Sequence, residues 1–360
     1  MWELDHRREQ PNPSHQAAAE IGREFRLDII SEWWSWEKTC YDLGPFFSPP
    51  GLVREETRTE ESEHDGFAED IHSLHTPAGK LEERYLRSVH DKPGYQSKYL
   101  LESPQDAERW LSIPAGSATI DASGFLRARR DLGEDGIMMI DVGSDPMYQI
   151  NTLVGSETWG FWLKEERALL HRLVAEAQAR TLAFVKALLG AGVNGLFGYC
   201  GPELCIPPLA SPSDFQEFVV GYDERIHDLI HEAGGQVWVH CHGKMGPVLE
   251  GFLAEGVDCL NPLEPPPMGD MTIGEARARV GDRMSFDGGV QIGDFEICSP
   301  VEIAQKTEAV LEESEGRGLI LSATSGLSDW PVLSDRILAN FRTFCAVGRD
   351  VGARVCAKGG

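Results

Sequence analysis

From about residue 117 onward, short apolar runs alternate regularly with segments that can form amphipathic helices. The apolar runs have the length and the β-branched and aromatic content of buried strands, at 136–141, 194–199, 236–240, 257–261, 283–287 and 318–322. The helical segments lie between them, at 163–189, 214–233, 245–255, 273–280 and 301–313. This alternation is typical of parallel strands covered by helices. With one or two N-terminal strands the count approaches eight, so we predict an α/β fold, a TIM-like (β/α)8 barrel, with a doubly wound open sheet as the alternative.

The stretch 46–100 has a different pattern. Alternating polar and apolar segments flank a turn that contains Pro77 and Gly79. This pattern favours antiparallel hairpins over strand–helix units. We therefore predict a β-hairpin insertion or cap at 46–100, within a single barrel domain that spans residues 1–360.

The charge balance restricts the partners. The chain has 33 Lys and Arg residues against 58 Asp and Glu residues, a formal net charge of −25. Such a surface repels phosphate backbones and anionic headgroups, so we expect neither nucleic acid nor a membrane as a partner. No apolar run approaches the ~18 residues of a membrane span, and the N-terminus has no apolar signal core. The eight cysteines are scattered without a CxxC pair, which favours free thiols and a cytoplasmic location.

Polar residues, metal-capable residues and glycines follow five of the predicted strands. They lie at 200–205, 240–242, 261–265, 287–291 and 322–326. In a barrel of this type the chemistry takes place at the C-terminal ends of the strands. The convergence over five successive strand ends therefore predicts the position of an active site.

The strongest local motif is His240-Cys241-His242, which follows the apolar run Val237–Val239. Because side chains alternate along a strand, His240 and His242 should point to one side and Cys241 to the other. Two imidazoles on one side can share a metal ion, and imidazole suits zinc and related metals. A turn with one packed and one solvated histidine is the alternative, and these residues alone do not decide between the two.

Three carboxylates also lie at predicted strand ends: Glu203, Glu264 and Asp287. Each is a candidate for a direct role in the site, and Glu203 is the strongest of them. Each could instead be a loop carboxylate, a helix cap or a salt-bridge partner.

Several short segments share their order and spacing with one known superfamily. They are Thr76–Gly79, Gly143–Pro146, Leu153–Glu157, Leu209–Phe215, the His240–Gly243 turn, Asp287–Gly289 and Asn340. Together they resemble the uroporphyrinogen decarboxylase superfamily, most closely its corrinoid-dependent methyltransferase branch, over roughly residues 70–348. The resemblance implies a TIM-like barrel with a pocket at the C-terminal ends of the strands.

In that branch, zinc is bound by a His-x-Cys pair, a later cysteine and often an acidic residue from an earlier strand. His240 matches the first position, but His242 stands where the cysteine is expected, and the segment 321–325 has no late cysteine. Glu203 matches the acidic ligand. The resemblance therefore implies that His240, His242 and Glu203 bind zinc or another divalent metal, with a fourth position open to water or substrate.

Cysteines near these residues are further candidate ligands. Cys200 and Cys205 flank Glu203, and Cys241 lies between the two histidines. Strand alternation argues against Cys241 as a metal ligand. The sequence of the loop does not show whether Cys200 or Cys205 is one.

We predict a metal-dependent methyltransferase that moves a methyl group between a small methylated substrate and a corrinoid protein or thiol acceptor. Glu203 and Asp287 are the predicted catalytic residues, with Asp287 orienting the substrate or moving a proton. The corrinoid would come with a partner protein, because the chain has no corrinoid-binding Asp-x-His-x-x-Gly string. The alternatives are a decarboxylase of a carboxylated substrate on the same fold and a non-catalytic metal- or corrinoid-binding relative. Porphyrinogen decarboxylation ranks lower, since the typical Arg-Gln-Ala-Gly-Arg segment is missing.

Overall fold

The computed structural model describes residues 22–23, 25–34, 53–90, 93–116, 120–326 and 333–359. Parts of the predicted insertion, at 46–52 and 91–92, lie outside these ranges. The described strands are, in chain order, β1 (Ile29–Trp34), β2 (Arg54–Glu61), β3 (Phe67–Thr76), β4 (Gly79–Ser88), β5 (Tyr95–Lys98), β6 (Gly136–Ser144), β7 (Leu196–Cys200), β8 (Gln236–His240), β9 (Cys259–Leu263), β10 (Ser285–Val290) and β11 (Leu319–Ala323).

Helices occupy most of the connections between these strands. They are α1 (Pro104–Leu111), α2 (Ser123–Leu132), α3 (Pro146–Val154), α4 (Ser156–Glu165), α5 (Arg167–Gly190), α6 (Pro212–Phe215), α7 (Gly221–Glu232), α8 (Leu249–Ala254), α9 (Ile273–Val280), α10 (Ile292–Ile297), α11 (Pro300–Glu313) and α12 (Asp335–Gly359). A π-helical segment, Gln216–Val220, joins α6 to α7. Side-chain caps explain several helix starts: the hydroxyls of Ser103, Thr272 and Ser299 each accept a hydrogen bond from a backbone N–H in the first turn.

Seven strands form a single parallel sheet in the order β1-β6-β7-β8-β9-β10-β11. The predicted α/β class with parallel strands is therefore confirmed. The spatial order follows the chain order without the reversal that defines a doubly wound sheet. The sheet also curls, because Ile30 of the first strand and Ile320 of the last strand pack in one small cluster with Trp238. An eighth strand that would close the barrel is not among the described residues.

Strands β2 to β5 form a separate antiparallel sheet. Within the predicted insertion, the hairpins are thus antiparallel as expected. The β3–β4 turn contacts the end of α1, where the backbone N–H of Ala78 donates to the Ser112 hydroxyl at 3.2 Å. Leu74 and Leu81 belong to the main hydrophobic core, so this sheet packs onto the rest of the chain.

The main core lies between the parallel sheet and its helices. Phe197, Val237, Val239 and Phe286 point outward from the sheet into this layer and are 0% exposed. The residues that alternate with them point to the inside of the curl, where the strand ends bring polar side chains together. None of the described helices has the length and apolar character needed to cross a membrane.

Candidate functional site

The C-terminal ends of β8 and β9 place the predicted histidines at the inside of the curled sheet. His240 is the last residue of β8, and His242 follows it in the loop. The two imidazole rings lie edge to face with their centroids 4.6 Å apart. The structure therefore brings the two predicted metal ligands together, as alternation along the strand predicted.

His240 has a hydrogen-bond partner that fixes its orientation. Its Nδ1 atom lies 2.8 Å from Oδ1 of Asn261, the residue opposite it on β9. Burial lowers the pKa of His240 to about 4, although the bond to Asn261 opposes this shift. The imidazole is therefore neutral at pH 7, which is the form that binds a metal.

Asp287, on β10, forms hydrogen bonds with three neighbouring side chains near His240. Its carboxylate accepts from the Ser322 hydroxyl at 2.5 Å and from the indole N–H of Trp238 at 3.1 Å, and it also bonds the Asn261 side chain. The Asn261 amide oxygen faces His240 and its amide nitrogen faces Asp287, and an amide oxygen only accepts. His240 then carries its proton on Nδ1 and its lone pair on Nε2. Burial raises the pKa of Asp287.

Glu264 is the hydrogen-bond partner of His242, as Asn261 is of His240. Its Oε2 atom lies 3.3 Å from His242 Nδ1 and accepts from the backbone N–H of Gly243 at 2.9 Å. Burial opposes ionisation of Glu264, but the bonds from His242 and Gly243 outweigh it and lower its pKa. The hydrogen bond to Glu264 raises the pKa of His242. A carboxylate on Nδ1 directs Nε2 outward, as in metal-bound histidines generally.

Glu203 lies in a short 3-10 turn after β7, on the same side of the sheet. Its Oε2 atom is buried without a hydrogen-bond partner, and burial raises the pKa of Glu203 to about 7, an effect that His242 partly offsets. The ligand atoms of Glu203, His240 and His242 do not all lie within 4.8 Å of one another. A shared ion therefore requires a side-chain rotation.

The three cysteines near the site differ in position. Cys241 directly follows β8 and is fully buried in the main core, on the side away from the histidines that alternation predicted. Cys205 is fully buried in the same core. Cys200 ends β7 on the inner face. Burial, together with the charges of Asp141 and Glu203, raises the pKa of Cys200 to about 12. Its thiol is therefore protonated at neutral pH.

The surroundings of the site are acidic. In the described loops that follow β6 to β11, Lys244 is the sole Lys or Arg side chain, and it is exposed. Asp145, also near Glu203, is fully buried, and burial with the charge of Glu203 raises its pKa. This setting favours a cation over a substrate that carries several carboxylates.

Sequence reasoning missed a second group of buried titratable residues. In the part of the chain that the structure describes, one set of three metal-capable residues has all its ligand atoms within 4.8 Å: Asp223, His227 and Glu255. The spacing of Asp223 and His227, four residues apart on a helix, was the available signal. No sequence signal pointed to Glu255, because this residue lies near Asp223 and His227 only through the packing of α7 beside the end of α8.

Comparisons with known proteins place the chain in a family. The model of the uroporphyrinogen decarboxylase (URO-D) family matches residues 144–329, a little over half of the 360 residues. Among solved structures, a methyltransferase from Methanosarcina mazei is similar with a TM-score of 0.51 and 14% identity, over 72% of each chain. At this identity the similarity shows the fold alone. No curated protein matches the chain significantly. The matched segment contains every predicted site residue, and the resemblance expected from the sequence is confirmed: the chain belongs to the uroporphyrinogen decarboxylase family.

Proposed function

We propose that the protein is a metal-dependent methyltransferase that moves a methyl group between a small methylated substrate and a corrinoid protein or thiol acceptor. His240, His242 and Glu203 are the proposed ligands of a zinc ion or another divalent metal. The observation that carries the proposal is the pair of adjacent imidazoles, each with a hydrogen-bond partner on Nδ1. With a partner on Nδ1, the nitrogen of each imidazole that can serve as a metal ligand is Nε2.

The residues present fit a divalent metal. Glu203 offers a buried carboxylate oxygen that has no hydrogen-bond partner, and its carboxylate interacts electrostatically with His242. Two neutral imidazoles and one carboxylate would leave a dipositive ion with a net charge of about +1, more than thiolate ligands would leave. When bound, such an ion supplies positive charge that polarises an oxygen or sulfur atom of the substrate. The donor set favours an oxygen-bearing substrate, such as a methyl ether or a carboxylate.

The remaining polar residues would orient groups and move protons. Asn261 and Glu264 position the two imidazoles through their hydrogen bonds. When a methyl group leaves without its bonding electrons, the oxygen or sulfur left behind keeps the electron pair and needs a proton. Glu203 as a metal ligand is ionised, so the buried Asp287, whose pKa is raised by burial, is the group available to orient the substrate or supply that proton.

The proposal also covers the closure of the barrel, the corrinoid partner and the cellular location. We take the curled sheet as most of a closed (β/α)8 barrel in a single domain over residues 1–360, with 46–100 as its cap. The shared cluster of Ile30 and Ile320 supports closure. A corrinoid partner would approach from the strand ends, where the His242 side chain is 38% exposed. The seven described cysteines are all free, which supports a cytoplasmic location.

The test is a methyl-transfer assay. Zinc-loaded protein is incubated with cob(I)alamin and a panel of methoxylated and methylthiolated compounds, and formation of methylcobalamin is followed by its absorption spectrum. We expect transfer from at least one oxygen donor, a loss of about 100-fold or more in Glu203→Ala, and no loss in His64→Ala, which changes an exposed histidine in the turn between β2 and β3. Absence of transfer with every donor would contradict the proposal.

Decarboxylation of a carboxylated substrate is the second candidate. It is favoured by the raised pKa values of Glu203 and Asp145, because a carbanion formed on loss of carbon dioxide needs a proton donor. The acidic surroundings argue against a porphyrinogen as that substrate. Carbon dioxide release without methyl transfer would favour this candidate.

A further inference from the structure

A second polar cluster lies on the outer face of the parallel sheet, between β7 and helix α7. Asp223 and His227 are one turn apart on α7, and Glu255 follows the end of α8. Tyr199 projects toward them from β7. The strand-end site uses the inner face, where Cys200 and His240 lie, so the two groups occupy opposite faces of one sheet.

The carboxylates of this cluster are buried with few polar contacts. Asp223 and Glu255 are each 1% exposed, and none of their four carboxylate oxygens has a well-aligned hydrogen-bond partner. The Tyr199 hydroxyl lies close enough to Asp223 to lower the pKa of that carboxyl, but burial outweighs this effect and raises the pKa. No described Lys or Arg side chain forms an ion pair with either residue. Burial lowers the pKa of His227 to about 4, so this imidazole is neutral and cannot balance their charge. A buried carboxylate pair of this kind is stable only if it is protonated or binds a cation.

The geometry of His227 indicates a cation. Its Nδ1 atom lies 2.6 Å from the backbone carbonyl oxygen of Glu255. A carbonyl oxygen only accepts, so Nδ1 carries the proton and Nε2 carries the lone pair. Nε2 contacts the Tyr199 hydroxyl. An imidazole whose N–H is held by a backbone carbonyl is the usual arrangement of a metal-binding histidine. The Tyr199 hydroxyl donates to Nε2, so this hydroxyl must move aside for an ion to bind there.

We propose that Asp223, His227 and Glu255 form a buried site for a divalent transition-metal ion, of the zinc or manganese type. One imidazole nitrogen and two carboxylates are ligands that suit these ions, and the Tyr199 hydroxyl lies at the edge of the set. The ion would neutralise both carboxylates. It would also link α7 and the end of α8 next to β7, one residue before the strand reaches Cys200.

Metal binding at this site can be measured apart from the strand-end site. Chelator-treated wild type, His242→Ala and the double variant Asp223→Asn/Glu255→Gln are each dialysed against zinc or manganese and analysed for bound metal. We expect the double variant to bind one equivalent less than the wild type and His242→Ala to keep that equivalent. If only His242→Ala binds less metal than the wild type, the strand-end site is supported and the present proposal is contradicted. If only the double variant binds less metal, the present proposal is supported and the strand-end site is contradicted.

Thermal unfolding in the His242→Ala background, where the strand-end site does not contribute, gives a second test. We expect the melting temperature of His242→Ala to fall by several degrees after chelation and to recover with zinc or manganese, because an ion that binds only the folded state stabilises it. The triple variant Asp223→Asn/Glu255→Gln/His242→Ala, which lacks both proposed sites and keeps the side-chain shapes of the cluster, should show no such response. If neither chelator nor metal changes the melting temperature of His242→Ala, the carboxyl groups of Asp223 and Glu255 are protonated and bind no ion. This result would overturn the proposal.

Discussion

The Nδ1 atom of His240 lies 2.8 Å from Oδ1 of Asn261, and the two residues are direct neighbours on adjacent strands. Asn261 also bonds Asp287 on the following strand. Three consecutive strands thus contribute one residue each to a hydrogen-bonded chain that ends at a proposed metal ligand. The orientation of His240 depends on all three residues.

Asn261→Ala should weaken zinc binding by about 10–100-fold, because His240 loses the partner that fixes its tautomer and ring orientation. Competition with a chromophoric chelator measures the affinity. Asn194→Ala is the matched control, since Asn194 bonds Ala233 near the opposite end of the sheet. Equal affinity of the two variants would show that Asn261 does not orient a ligand.

Cys241→Ala should leave the zinc content unchanged. The Cys241 thiol is buried on the face of β8 that points away from the two histidines. Removing a buried sulfur atom should lower the free energy of unfolding by about 1–2 kcal/mol through lost packing. Metal analysis and urea unfolding check the two expectations. Loss of zinc at unchanged stability would make Cys241 a ligand.

Arg167→Ala should destabilise the protein by about 2–3 kcal/mol. Arg167 pairs with the buried Asp214 at 2.8 Å and with Glu217 at 2.5 Å, and its guanidinium lies 4.9 Å from the centre of the Phe218 ring. The matched control is Arg172→Ala, which breaks a pair whose two side chains are each 55% exposed.

The control should cost much less than Arg167→Ala, because solvent screens an exposed pair. Urea unfolding of both variants measures the difference. If the two substitutions cost the same, the contacts of Arg167 with Asp214 and Phe218 contribute nothing beyond a surface ion pair.

The antiparallel sheet should show a histidine-dependent pH response. The hydrogen bond to Glu83 raises the pKa of His72 above 6.5, burial opposes this, and Glu55 adds to the rise. The resulting stabilisation is present below about pH 6.5 and is lost as the pH rises through the folded-state pKa. Between pH 6 and 8, wild type should therefore lose about 0.5–1 kcal/mol more stability than His72→Gln. Parallel curves for the two proteins would show that His72 is not stabilised as an imidazolium.

Local sequence patterns predicted most of the parallel sheet. Val237 and Val239 alternate with residues that face inward, and the apolar run ends where β8 ends. Helix α9 occupies the predicted range 273–280, because Thr272 and Glu275 form a capping box that marks its start. The placement of polar side chains at the strand ends followed from the same alternation.

The contacts between strands could not be predicted in this way. That Asn261 lies opposite His240 depends on the register of β8 and β9, which a single sequence does not specify. Asp223 and His227 are charged or polar residues on an amphipathic helix, a pattern typical of a solvated face. Their burial depends on how α7 packs beside β7 and Glu255, which is a long-range property of the fold.

The central claim is that His242 binds a metal ion, and zinc analysis with and without its side chain tests this claim most directly. Wild type, His242→Ala and His64→Ala are loaded with zinc, freed of excess metal and analysed for zinc per chain. The account predicts that His242→Ala binds about one equivalent less than the other two proteins, because water does not replace a lost imidazole ligand at equal affinity. Equal zinc content in all three proteins would contradict it.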